Sequence, residues 1–157
     1  MNCLSWLFTA TVATLAQLLF EGATQAMRLT RMSLPYMLGT MYTERRTRAK
    51  LLGLATHFAN GLLFAIGYVL LFRYLGVACW WLGGLIGLAQ AAFVLLVVMP
   101  VLPDVHPRMA SERQGPTVKR QLEPPGFLAL NYGPRTPLSI VISHVLFGVV
   151  IGMLYRL

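Results

Sequence analysis

Two imidazoles are the residues of this chain best placed to do chemistry. His57 lies in "THFANGLLFAIGY" (56–68) and His144 in "SHVLFGVVIGMLY" (143–155); each reads hydroxyl residue, His, three residues, Gly, six residues, Tyr. A chain with only 3 histidines therefore puts two of them in one repeated frame. Two neutral imidazoles at one depth on neighbouring helices can ligate a b-type haem, and the glycines one turn further on, Gly61 and Gly148, would give a porphyrin room. Thr56 and Ser143 would orient the rings. The same pattern also suits a tight helix bundle, in which small residues let backbones approach and His, Asn, Gln and Tyr bond across the interface. A site for a bare metal ion is disfavoured, because no third ligand is evident at that depth.

Other polar groups fall on helix faces. Gln17, Glu21 and Gln25 share one face at four-residue spacing, and an ionisable group inside a span is a functional hypothesis by default. Arg28 follows Glu21 by two turns, so the expectation is a structural Glu21–Arg28 pair. A proton relay along that helix would need more titratable groups than Gln17 and Thr14 supply. Gly83, Gly87 and Gln90 form a second such face, Asn60 accompanies His57 and Gly61, and Gly152 extends the face of His144 and Gly148. These are read as helix-packing positions. Asp104 and His106 offer two ligands in a turn, a weak metal signal, and the neighbouring Pro103 and Pro107 account for the segment as a helix end. No P-loop, GxSxG, HExxH or Rossmann glycine pattern occurs. With only 5 acidic residues there are few candidates for acid–base work. The expectation is a non-enzyme.

What must position these groups is a membrane. The 157 residues are 57% hydrophobic and 11% charged, against about 25% charged in soluble domains. Leu51–Phe72, Tyr74–Pro103 and Thr136–Tyr155 carry no formal charge, and about 20 apolar residues in a helix cross a bilayer. Cys3–Phe20, continuing to Met27, is a further span. No basic stretch precedes it and no good cleavage site follows, so it reads as a retained helix. The expected architecture is an all-α four-transmembrane-helix bundle in a single membrane domain. Its expected spans are 3–27, 51–72, 76–102 and 136–155, with an interfacial segment at 28–50 and a Pro-rich loop at 103–135. Met, Leu and Tyr mixed with Arg in 28–50 predict short interfacial helices, and the prolines of 103–137 predict a largely extended loop. Order in so long a loop would hint at a protein partner.

Of the 13 cations, Arg28, Arg31, Arg45, Arg46, Arg48, Lys50, Arg108, Arg113, Lys119, Arg120 and Arg135 lie in the two long loops, and only Arg73 and Arg156 lie on the other side. That bias places the loops in the cytoplasm and both termini outside. The net charge of +8 is then explained by topology and anionic lipid, with no nucleic-acid partner. Cys3 and Cys79 fall at the outer helix ends, as two separate thiols or as a disulfide in an oxidising compartment.

The repeated frame extends upstream, to "LAQLLF" (15–20) and "LAQAAF" (88–93). Each half then reads as one helical hairpin, and a duplication would relate the two by a pseudo-twofold axis along the membrane normal. His57 is 7 residues past Lys50 and His144 is 9 past Arg135; at 1.5 Å per residue, both rings lie roughly 10–13 Å inside the boundary.

"SLPYMLGTM", "HFANG", "VVMPVLPDVHP" and "HVLFG" together resemble a family of small four-helix bacterial inner-membrane proteins, a domain of unknown function. The resemblance covers most of the chain outside 109–135. It implies the architecture and the location, and carries over no catalytic residue. The function expected is an accessory or assembly subunit packing against other membrane subunits, as in a respiratory or photosynthetic electron-transfer complex, with homo-oligomerisation open. The alternatives are a small cytochrome with one haem b between His57 and His144, and a small transporter or channel.

Overall fold

A computed structural model describes residues 3–111 and 113–156, the Cys3 side chain excepted. The described chain is helical, without strands. Helix α1 spans Cys3–Ala26, α2 Leu34–Gly39 and α3 Arg46–Leu75. Helix α4, Trp80–Phe93, runs through a π-helical turn, Val94–Val98, into α5, Met99–Val105. The last helix, α6, is Thr136–Leu154.

Four helices, with α4 to α5 counted as one, are long and apolar enough to cross a membrane. Within their most apolar stretches only 28–39% of residues are buried in the protein. Leu4, Leu19, Leu63, Leu70, Leu138 and Met153 all point outward, a surface that suits lipid. This is the pattern of a multi-pass membrane protein.

The helices pack as two hairpins, α1 with α3 and α4 with α6, joined mainly where α1 meets α6. In the second hairpin backbone lies on backbone. A β-carbon at Gly83 would run into the Gly148 carbonyl, one at Gly87 into the His144 carbonyl, and one at Gly152 into the Cys79 carbonyl. In the first hairpin the corresponding contact is softer, because a β-carbon at Gly61 would meet only the Thr14 side chain.

The boundaries differ from the sequence expectation where local chemistry intervenes. The second span starts at Arg46 rather than 51 and runs on to Leu75, because Arg46, Arg48 and Lys50 sit on an exposed first turn and cost the helix little. The third span passes Pro103 and stops at Val105 rather than 102. The Met99 N–H bonds back to the Val94 carbonyl, one residue wider than an α-helix. That widened turn precedes Pro100 and Pro103, which cannot donate to the carbonyls before them. The first span closes at Ala26.

The interfacial segment holds one short helix, α2, and it docks on α3. Gly53 lies under the Pro35 carbonyl and Gly39 against the Ala49 carbonyl. The Pro-rich loop is not the extended chain expected of it. Met109 and Leu122 form a parallel bridge. Phe127–Tyr132 winds into a tight turn in which Leu128 and Ala129 take left-handed angles, φ 51° and 60°. Such angles cost non-glycine residues about 1–2 kcal/mol each and here are held by Asn131, whose backbone N–H bonds to the Pro125 carbonyl and whose amide bonds to that of Pro124 at 3.0 Å.

Two cores result. One, inside the bundle, stacks Tyr68, Phe72, Phe147, Ile151 and Tyr155. The other lies under the loops and gathers Met32, Met37, Met99, Leu102, Met109 and Tyr132.

Candidate functional site

The polar groups of the spans lie on buried stripes. On α3 the buried face runs Ala49, Gly53, His57, Gly61, Ala65 and then Tyr68, at near four-residue spacing, with Asn60 half-buried beside it. On α6 it runs Ile140, Ser143, His144, Phe147, Gly148 and Gly152. His57 is 5% exposed and His144 6%, so both rings are enclosed.

Their hydrogen bonds differ. His144 Nδ1 lies 2.8 Å from the Ile140 carbonyl and 3.3 Å from Ser143 Oγ. A carbonyl only accepts, so Nδ1 carries the proton and the lone pair is on Nε2. His57 Nε2 is buried without a partner. The space beside the two glycines is taken. Thr14 fills the notch at Gly61, and the Gly83 backbone and Tyr68 ring cover Gly148. A porphyrin at these glycines would have to part α3 from α1 and α6 from α4.

Tyr68 bridges the two hairpins, its hydroxyl donating to Gln90 Oε1 at 2.6 Å. The Tyr68 ring meets Phe147 edge-on at 5.6 Å. Gln17, on α1, is 5% exposed and donates to Glu21 Oε1 at 3.2 Å. Gln25 is half-buried one turn later. Glu21 does not pair with Arg28, which is exposed. The ion pairs of the described residues are Arg31–Glu123 at 3.4 Å and Arg108–Glu44 at 3.5 Å. Arg28 has a left-handed φ of 58° as the chain turns out of α1, which takes its side chain away from the last turns of that helix. Glu21 instead lines a small cavity together with Ser143, the neighbour of His144 in sequence and in hydrogen bonding.

At the loop-bearing end His106 is fully buried, and both its nitrogens are engaged. Nε2 donates to the Met37 carbonyl at 3.0 Å with Thr40 Oγ1 at 3.3 Å, and Nδ1 accepts the Arg108 N–H at 3.1 Å. It is therefore a latch between the third span and α2, and Asp104 makes no ligand set with it. Arg108 donates to the Thr40 carbonyl at 2.6 Å and Arg120 to that of Met109 at 3.0 Å. Tyr132, whose hydroxyl burial pushes up to about 12, donates to the Glu123 carbonyl. The sequence singled out His106 as a weak metal signal, but its role as a latch and those of Arg108, Arg120 and Tyr132 escaped the reading, because their partners are mainly backbone carbonyls of distant segments. Cys79 is a free thiol, and the side chain that a disulfide would need, that of Cys3, lies outside the described residues.

Comparison of the chain with protein-family models, curated proteins and solved structures finds no match.

Proposed function

We propose that this chain is a non-enzymatic accessory or assembly subunit of a larger complex in the bacterial inner membrane, of the kind that carries respiratory or photosynthetic electron transfer. Its two basic loops face the cytoplasm and both termini face outside, and its two hairpins derive from one duplicated unit. The likeness to small four-helix inner-membrane proteins belongs to the same reading.

The observation that supports it is the cap. The two loops knit into one surface fixed by His106, Arg108, Arg120 and Tyr132, and that surface carries open clefts of about 330 and 240 Å³. Arg108 and Lys119 line the first cleft and Arg31 the second. Surfaces that keep their shape before binding lose little freedom on docking. The cap is anchored within its own chain, so its order does not call for a partner; the reading rests on the shape and charge of its outer face. Cations on that face favour the cytoplasmic side and contact with anionic headgroups.

The test is solubilisation of native membranes in mild detergent. The expected result is an assembly of fixed stoichiometry that dissociates when Arg113 and Lys119 are both changed to Glu. Recovery of the chain alone, as a stable monomer, would sink the proposal.

One observation favours a second reading, a small b-type cytochrome. The His144 tautomer and the unpartnered His57 Nε2 leave ring nitrogens open for ligation. The filled notches at Gly61 and Gly148 weigh against it. Oxidised and dithionite-reduced absorption spectra decide: a Soret and α band lost in both His57→Ala and His144→Ala would establish haem, and a featureless spectrum from haem-replete cells would remove it.

A further inference from the structure

Beside the end of the third span lies an open groove of about 510 Å³, a size that takes a small molecule or a lipid headgroup. Its apolar lining comes from Met99, Pro100 and Pro103 on α5 and from Phe127 on the tight turn at Phe127–Tyr132. Both sides are fixed. Met99 is buried, and the turn is entered through Gly126 at a left-handed φ of 70° and held by the bonds of Asn131 to the Pro124 and Pro125 carbonyls. A groove that keeps its shape loses little freedom when it is filled. Pro100 is exposed, and Val97 and Val101 beside it are also exposed. The apolar side of the groove therefore runs on into the lipid-facing surface of the third span.

Two charged side chains among the described residues line this groove, Asp104 and Arg113. Both are exposed, and neither belongs to an ion pair of the described residues. Opposite charges that share a groove without closing on each other leave room for a molecule that carries both charges. The other charges of the cap are engaged elsewhere. Arg108 meets Glu44 in the cleft that Lys119 also lines, Arg31 pairs with Glu123, and Arg120 donates to the Met109 carbonyl. Glu112 lies outside the described residues. A simple anion would face Asp104 as well as Arg113, and a simple cation would meet the reverse conflict. A guanidinium fork matches a phosphate, and a carboxylate accepts the N–H bonds of a primary ammonium. The matching ligand joins those two groups to an apolar body.

We propose that this groove binds one phosphatidylethanolamine-type lipid from the leaflet on the loop-bearing side, its phosphate at Arg113, its ammonium at Asp104 and its acyl chains passing Pro100 and Phe127 onto the third span. Phosphatidylcholine has the same net charge, but its trimethylated nitrogen has no N–H to give Asp104. An anionic lipid lacks the cation that Asp104 calls for. The proposal rests neither on the accessory-subunit reading nor on which compartment the loops face, because it needs only the groove and the adjoining bilayer.

The experiment is native mass spectrometry of the purified full-length protein, released from micelles that hold phosphatidylethanolamine, phosphatidylcholine and phosphatidylglycerol with identical chains in equal amounts. Phosphatidylethanolamine adducts should exceed those of phosphatidylcholine about fivefold, the equivalent of ~1 kcal/mol for an exposed charge pair. Asp104→Asn, nearly isosteric, should bring phosphatidylethanolamine down to the phosphatidylcholine level. Arg113→Gln should lower both alike. Both side chains are exposed, so an unchanged melting temperature in lipid-free detergent serves as the folding control. Equal retention of phosphatidylethanolamine and phosphatidylcholine by the unaltered protein overturns the proposal, and so does a preference that survives Asp104→Asn. Phosphatidylglycerol in excess of both also overturns it, assigning the lipid contact to the cations of the cap. Displacement of the lipid by an equal concentration of chain-free glycerophosphoethanolamine would make the groove a site for a soluble headgroup and overturn the bilayer as its source.

Discussion

The two hairpins solve one packing problem in different ways. In α4/α6 the glycines at 83, 87, 148 and 152 bring main chain against main chain, and no side chain stands between the helices at those crossings. In α1/α3 a threonine side chain meets Gly61, and Ala10, Ala13 and Ala65 pack in the same core. A seam of backbone contacts cannot yield to a larger residue, while a seam closed by a side chain can repack. Within the described spans the buried polar atoms without a partner, Trp6 Nε1, Thr9 Oγ1, Glu21 Oε2 and His57 Nε2, all belong to the yielding hairpin. The rigid pair serves as frame, and the adaptable pair holds these unmatched polar groups.

The largest expected effect breaks the frame. Gly83→Ala puts a methyl group into the Gly148 carbonyl, so α4 and α6 must separate; the cost is about 3 kcal/mol or more, read as a collapse of the melting temperature or failure to recover monodisperse protein. Next comes the latch that joins the hairpins at the cap. His106→Ala leaves the buried Arg108 N–H without its acceptor and the Met37 carbonyl with the Thr40 hydroxyl alone, at about 2 kcal/mol, measured by denaturant unfolding in micelles.

The same latch responds to pH. Burial is the chief reason that the His106 imidazole titrates below its ordinary value of 6.5, with Arg108 and Arg120 adding to it and the Met37 bond opposing. The folded protein then binds fewer protons at this position than the unfolded chain. Its stability contribution is full above about pH 6.5 and shrinks as pH falls below that value. Melting curves from pH 8 downward, about one unit apart, should show that decline, and His106→Gln should flatten it.

Gly61→Ala sharpens the contrast. The new methyl meets only Thr14, so the loss is about 1 kcal/mol, and Thr14→Ala in the same chain should restore most of it in a double-mutant cycle. The smallest effect is at Gly67, where nothing lies within 4 Å of an added β-carbon. Gly67→Ala should be neutral or stabilising by up to about 1 kcal/mol, with an unchanged unfolding midpoint as the lower bound.

The spans and the enclosed faces were legible because they are short-range patterns. Uncharged runs mark Leu51–Phe72 and Thr136–Tyr155, and four-residue spacing puts His57 with Gly61 and His144 with Gly148. The limits of the spans were less so. Pro103 reads as a stop until the wide turn at Val94–Val98 is seen to absorb it, and Arg46 reads as loop although it begins a helix. The surroundings of Glu21 were not legible at all. Gln17 and Gln25 share its helix, but Ser143, Thr136 and His144 come from the far end of the chain, and no periodicity on α1 announces them. Arg28 stood closer in sequence and proved to be turned away, since a pairing argued along one helix takes no account of the chain's left-handed exit from it. The cap was hidden for a like reason, its bonds being to main-chain carbonyls that any residue provides.

The latch at His106 has a bearing on how the chain is made. Its histidine comes from the connection after the third span, and the carbonyl it seeks, that of Met37, from the connection after the first. The two can meet only if both connections emerge into the same compartment. A chain threaded with one hairpin upside down strands Arg108 and His106 on one side of the bilayer and their acceptors on the other. Such a chain would leave main-chain groups open and the methionine-rich cluster under the loops uncovered. The cap thus closes only over a chain whose two connections lie on the same side of the bundle.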